Sequence, residues 1–163
     1  MIIAIDGPAG SGKTTTARKV AQSLKFTHIN TGAMYRGIAL KFIRENVNLD
    51  DNMSIKRILN NTQFDFSGPH LSILNMDGED ISIEIASSIV NANVSRISAI
   101  SDVRIRLVKY QRQMSRGKSV VLDGRDIGTV VFPNADYKFY LIADIAVRAE
   151  RRMKEIEAAG EHM

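Results

Sequence analysis

The eight residues Gly7-Pro8-Ala9-Gly10-Ser11-Gly12-Lys13-Thr14 limit what this chain can fold into more than any other feature of it. They satisfy G-x-x-x-x-G-K-[ST], and what surrounds them suits the pattern. Ile2 to Asp6 is a β-branched apolar run stopped by Gly-Pro, which predicts a buried strand. From Lys13 to Leu24 the residues Ala17, Val20, Ala21 and Leu24 recur at helical spacing. A strand, a glycine loop and a helix in that order let successive backbone N–H groups face a phosphate, with the positive end of the helix behind them. Lys13 then reaches β- and γ-phosphate oxygens, and the Thr14 hydroxyl is placed to ligate Mg²⁺. Gly7, Pro8, Ala9, Gly10, Ser11, Gly12, Lys13 and Thr14 are thus the candidate residues for a nucleoside triphosphate.

The rest of the chain continues the alternation. A second helix is predicted from about Ala33 to Glu45, then a polar connection over Val47–Asn52. Phe64-Asp65-Phe66 and Leu71–Leu74 read as short strands around a Ser67-Gly68-Pro69 turn, and Asp77-Gly78-Glu79-Asp80 as a further turn. Residues 60–98 or so form a small insert with these strands and one helix near Ile83–Ala92. A long helix follows over about Asp102–Arg116, closed by Gly117. Ser119–Asp123 and Lys138–Ile142 read as two more buried strands, the second leading into a charged helix from Ile145 to about Ala159. Strands alternating with helices imply a mostly parallel sheet covered on both faces. The expected fold is α/β: a three-layer P-loop NTPase core over 1–30 and 99–163, and a monophosphate-binding region over 31–98 carrying a small α+β insert.

Composition narrows the class. The 163 residues are 44% hydrophobic and 25% charged and include no cysteine, so disulfides and thiolate metal sites are excluded. No apolar run approaches the roughly 18 residues of a membrane span. Ile2-Ile3-Ala4-Ile5 is too short for a signal-peptide core. A cytoplasmic protein without membrane or nucleic-acid partners is expected, and a monomer. The net charge of +4 has two readings, a modest surplus on a solvated surface or an anionic ligand. Arg36, Arg104 and Arg125 recur singly beside polar motif residues rather than as a basic stripe with interleaved aromatics. A small phosphorylated ligand suits that pattern better than a polymer.

Two further segments carry chemistry. Thr31-Gly32-Ala33-Met34-Tyr35-Arg36 stands at the mouth of the second helix, with Thr31 as N-cap and Arg36 in the first turns, aimed to pair with a phosphate. Read alone, it also fits a capped helix with a solvated arginine. Asp123-Gly124-Arg125-Asp126-Ile127-Gly128-Thr129 follows a strand, and a carboxylate at a strand's C-terminal end is where P-loop enzymes hold Mg²⁺, often through its waters. Read alone, it equally fits a tight Asp-Gly turn with a surface Arg–Asp pair. No Asn-Lys-x-Asp guanine-reading segment occurs.

Together, Gly7–Thr15, Asn30–Arg36 and Asp123–Pro133 (DGRDIGTVVFP) resemble the bacterial cytidylate kinase family, across residues 1 to about 160. Adenylate kinases share the layout but read Thr-Gly-Asp-Met-x-Arg and Asp-Gly-Phe-Pro-Arg where this chain has Thr-Gly-Ala-Met-Tyr-Arg and Asp-Gly-Arg-Asp. The resemblance implies phosphoryl transfer from ATP to CMP or dCMP, with Mg²⁺. It implies that Gly7 to Thr15 bind the ATP phosphates, that Thr31, Arg36 and Arg125 hold the acceptor phosphate and that Ser95, Arg104 and Asp126 surround the cytosine. Lys13, Arg36 and Arg125 become the catalytic residues, and Thr14 and, through water, Asp123 the metal ligands. In the family a lid, an Arg/Asp-rich helix, a further strand and a closing helix follow the point where this chain stops, and a fragment or truncated form is expected on that ground. The alternatives are a kinase for another small acceptor, such as UMP or a shikimate-like metabolite, and a nucleotide-binding fragment without turnover.

Overall fold

The computed structural model describes residues 1–68 and 73–158. Pro69 of the expected turn, Leu71 and Ser72 of the expected strand, and residues 159–163 lie outside it. The described chain divides into two units, Met1–Thr31 with Met114–Met163, and Gly32–Gln113.

The first unit is built on four parallel strands, β1 (Ile2–Asp6), β2 (Thr27–Asn30), β6 (Val120–Gly124) and β7 (Tyr137–Tyr140), in the order β2-β6-β1-β7. The helices of this unit are α1 (Lys13–Leu24) and α6 (Ile145–Ala158). Central strands of a parallel sheet are covered on both faces and so carry unbroken apolar runs. Val120, Val121 and Leu122 on β6 are completely buried, and Ile3, Ala4 and Ile5 on β1 nearly so. Ile3, Ile5 and Val121 pack with Ala17 and Ala21 of α1, and Val20, Phe26 and Leu141 close the cluster. The small alanines on the inward stripe of α1 let the helix lie close to the sheet.

Two expectations change here. The segment expected as a third buried strand forms β7, but all four of its residues are exposed, as is Ile142. Among the described strands it pairs with β1 alone, at the edge of the sheet. Thr31 was expected to cap the second helix. Instead it is the first helical residue, and its hydroxyl donates to the Asp123 carbonyl (2.7 Å).

The second unit contains α2 (Thr31–Arg44, which starts one residue before the division), α3 (Asn52–Asn61), α4 (Ser88–Ser98) and α5 (Ser101–Met114). Its antiparallel sheet has the order β3-β4-β5, with β3 at Phe64–Ser67, β4 at Ile73–Met76 and β5 at Glu79–Asp80. Met34, Ile38 and Ala39 on α2 are buried, as are Ile55, Ile58 and Leu59 on α3. Gly37 is the contact point of α2: a Cβ there would stand 2.8 Å from the Phe64 ring and 3.1 Å from Ile81. Tyr110 of α5 fastens β3 through one hydroxyl, accepting from the Phe64 N–H (2.9 Å) and donating to the Phe64 carbonyl (2.8 Å), with the two rings edge to face.

Helix α3 was not anticipated. Asp51 caps it, accepting from the Met53 and Ser54 N–H groups (3.0 and 3.2 Å) and from the Ser54 hydroxyl (2.5 Å). The Ser54 bonds hold the Asp51 carboxyl below the usual carboxylate range. At the end of α2, Arg44 forks onto both Glu79 oxygens (2.8 and 3.0 Å) and reaches Glu84 (2.7 Å), which draws the Glu79 carboxyl down as well. Exposed pairs of this kind fix register more than they add stability.

Candidate active site

The glycine loop joins β1 to α1, and its geometry follows from residues that a side chain would spoil. Gly10 and Gly12 have φ of 73° and 86°, a region that β-carbons disfavour. At Gly10 the space is also taken: a Cβ would come within 3.0 Å of the Arg148 carbonyl on α6. Arg151, one turn further on, donates from Nη1 to the Gly10 carbonyl (3.0 Å). Gly12 occupies the cap position of α1, where no side chain makes a cap hydrogen bond. The N-terminus of a twelve-residue helix therefore opens directly onto the loop, a site that favours anions. Lys13 lies back along the loop, donating to the Pro8 carbonyl (3.0 Å). The Ser11 hydroxyl is buried without a hydrogen-bond partner among the described residues, a group that a phosphate oxygen would satisfy.

Asp123 closes one side of this site. It is the fourth residue of β6 and 2% exposed. Its Oδ2 accepts from the Thr14 hydroxyl (2.5 Å), and its Oδ1 is bonded to Nε2 of His28 on β2 (2.7 Å). His28 is itself 6% exposed. The pairing Asn30↔Asp123 places His28 two residues upstream on the same face of β2, within reach of the carboxylate. His28 was missed in the sequence because nothing local marks it: its partner is 95 residues away and adjacent only because β2 lies beside β6. Replacing His28 with leucine should leave a buried carboxylate oxygen unsatisfied and cost about 1–3 kcal/mol. Urea denaturation measures this, and an unchanged midpoint would show that the bond carries no weight.

The same elements place the segment after Asp123. Gly124 is buried, Arg125 exposed and Asp126 half-buried, and Ile127–Val131 forms a short π-helical turn. Asp6, at the end of β1, receives the Ile127 N–H on one carboxylate oxygen and the Gly128 N–H on the other, both at 2.8 Å. In the sequence it too is marked only as the last residue of a strand. The Gly7 N–H donates to the Gly124 carbonyl (3.3 Å), so the start of the glycine loop and the start of the Arg125–Asp126 segment are tied together.

The first unit thus brings together the glycine loop, Thr14, Asp123, Thr31, Arg125 and Asp126. Arg36, Ser95 and Arg104 belong to the second unit, on α2, α4 and α5 respectively, with Ser95 exposed and the two arginines half-buried. A cavity of about 640 Å³ in that unit is walled by Lys41, Gln63, Phe64, Asn75 and Asp77 among others. None of the expected site residues lines it, and Lys41 and Asp77 in its wall are bonded to each other (2.5 Å).

Oxygen donors suit Mg²⁺, which keeps several waters and takes one or two protein ligands beside substrate phosphates. The Thr14 hydroxyl against the Asp123 carboxylate is such a set. Among the described residues there is no group of three or more His, Cys, Asp or Glu side chains that could enclose a metal. None of the described helices is long and apolar enough to cross a membrane.

Known proteins match the chain over nearly its whole length. The family described as cytidylate kinase matches residues 3–163. A cytidylate kinase from Caldanaerobacter subterraneus subsp. tengcongensis is 49% identical over 158 residues, covering 97% of this chain and 69% of its own length. Those of Chloroherpeton thalassium and Fusobacterium nucleatum subsp. nucleatum are 45% and 47% identical, over 97% and 95% of this chain and 67% and 70% of theirs.

Proposed function

Because the chain belongs to the cytidylate kinase family, we infer that it transfers the γ-phosphoryl group of ATP to CMP or dCMP, giving ADP and CDP or dCDP. The observation that carries this is near-complete family coverage of a chain whose glycine loop, Thr14 and Asp123 form one connected site.

Phosphoryl transfer asks little covalent chemistry of a protein and much positioning. The loop N–H groups and the Ser11 hydroxyl bind the donor phosphates, and Lys13 exchanges the Pro8 carbonyl for the β/γ oxygens. Thr14 and, through water, Asp123 would hold Mg²⁺, which when bound neutralises charge on the phosphates. His28 keeps Asp123 oriented for that task. Arg36, Arg125 and Thr31 are assigned to the acceptor phosphate. The Thr31 proton is engaged by the Asp123 carbonyl, so Thr31 must release it before donating to a phosphate. No general base is required, since the acceptor phosphate oxygen is already anionic at neutral pH.

Cytosine shows an amino donor beside ring-nitrogen and carbonyl acceptors. Asp126 takes the donor, and Ser95 and Arg104 serve the acceptors. Uracil would turn a carbonyl toward Asp126, which disfavours UMP. The enzyme is read as a cytoplasmic monomer acting on free nucleotides, without nucleic acid as a partner.

An ADP-release assay across acceptors tests this. CMP and dCMP should support turnover well above UMP, AMP and shikimate. ADP formation that needs UMP or shikimate, or that ignores the acceptor, would overturn the assignment.

A further inference from the structure

Asp6 is a buried acid that the transfer chemistry does not use. It is 7% exposed, ends β1, and spends both carboxylate oxygens on the backbone of another element. That element is the Ile127–Val131 turn, whose own cap residue is Asp126. An aspartate at a cap position ordinarily folds its carboxylate back onto an N–H two or three residues along. Asp126 makes no such bond, and the N–H two residues along, that of Gly128, is held by Asp6.

Asp6 also fixes the near end of the segment. In the β1–β6 ladder Asp6 stands opposite Gly124, and the neighbouring Gly7 N–H bonds the Gly124 carbonyl. Arg125 and Asp126 are therefore a two-residue link whose ends, Gly124 and Ile127, are both fastened at the end of β1. Gly128 packs beside the clamp: a Cβ there would meet Asp6 Oδ2 at an ordinary contact distance of 3.4 Å and Lys138 Cδ at 3.1 Å.

We propose that Asp6 is a positioning residue for base selection, capping the 127–131 turn from a neighbouring strand so that the Asp126 carboxylate is turned to the nucleotide instead of to its own helix. This rests on the role given to Asp126 above. Asp6 itself touches no substrate.

Asp6→Asn tests it with little change of volume. The amide oxygen can accept one N–H, but the NH₂ group opposes the other. The ratio of kcat/KM for CMP over UMP should fall roughly three- to tenfold, the weight of one lost hydrogen bond. The loss should fall mainly on KM for CMP, while KM for ATP at saturating CMP stays within about twofold. Asp126→Asn is measured beside it. If Asp126→Asn narrows the ratio and Asp6→Asn leaves it alone, the clamp is structural only and the proposal fails while the role of Asp126 stands. An unchanged ratio in Asp126→Asn removes the role of Asp126, and the base-selection proposal goes with it. Amide hydrogen exchange in the unmodified protein gives an independent check: Ile127 and Gly128 should be protected well beyond Thr129, and exchange as fast as Thr129 would overturn the clamp.

Discussion

Replacing Lys13 with alanine is expected to lower kcat at least about a hundredfold, the size of loss seen when one preorganised electrostatic donor is removed from a transferring group. The reason is positional. Lys13 is the first residue of α1, on a loop that Gly10 and Gly12 bend through conformations other residues resist, so its ammonium is delivered to one place. In the structure it is only half-buried, and its ammonium donates to the Pro8 carbonyl within the same loop. The fold should therefore survive its loss, with a thermal midpoint close to that of the unmodified protein. Steady-state kinetics with CMP saturating measures the effect. Near-normal turnover would remove the glycine loop from the reaction.

The second large effect concerns the base. With Asp126 charged and accepting from the cytosine amino group, UMP leaves a carbonyl facing an acceptor. An unsatisfied buried polar group costs about 1–3 kcal/mol, which corresponds to roughly five- to 150-fold discrimination. Asp126→Asn supplies an amide that presents either a donor or an acceptor after a flip. It should weaken CMP and bring the CMP/UMP ratio of kcat/KM down by most of that factor, with ATP affinity unaltered. If both activities fall together at constant ratio, Asp126 is structural and the cytosine is read by Ser95, Arg104 or another group.

How much of this was legible in the sequence depends on whether the signal was local. The glycine loop, α1 and β6 were, because a motif, a helical repeat and an apolar run each declare themselves within a dozen residues. Strand β2 was not: Thr27-His28-Ile29-Asn30 is short and has three polar residues in four, so it does not stand out. Helix α3 hid behind its asparagines, yet Asp51 followed by Ile55, Ile58 and Leu59 at helical spacing was a readable cap and stripe. Apolarity misled at β7, where Tyr137, Phe139 and Tyr140 suggested burial that an edge position does not provide. The partners of Asp123 and Asp6 could not have been found locally. His28–Asp123 is set by strand order, and Asp6 meets the 127–128 backbone across more than a hundred residues of sequence. What the sequence did mark was an acid at the end of each apolar strand, and both acids organise the site.

Passage of a phosphoryl group from ATP to the monophosphate of a cytosine nucleotide can be followed with a label. Incubation with γ-³²P-labelled ATP, Mg²⁺ and CMP, followed by chromatography of the nucleotides, tests it directly. The label should appear in CDP, at the β-phosphate, in step with ADP formation, and should move to dCDP when dCMP replaces CMP. Label recovered only as inorganic phosphate, or remaining in ATP while CMP is bound, would contradict it.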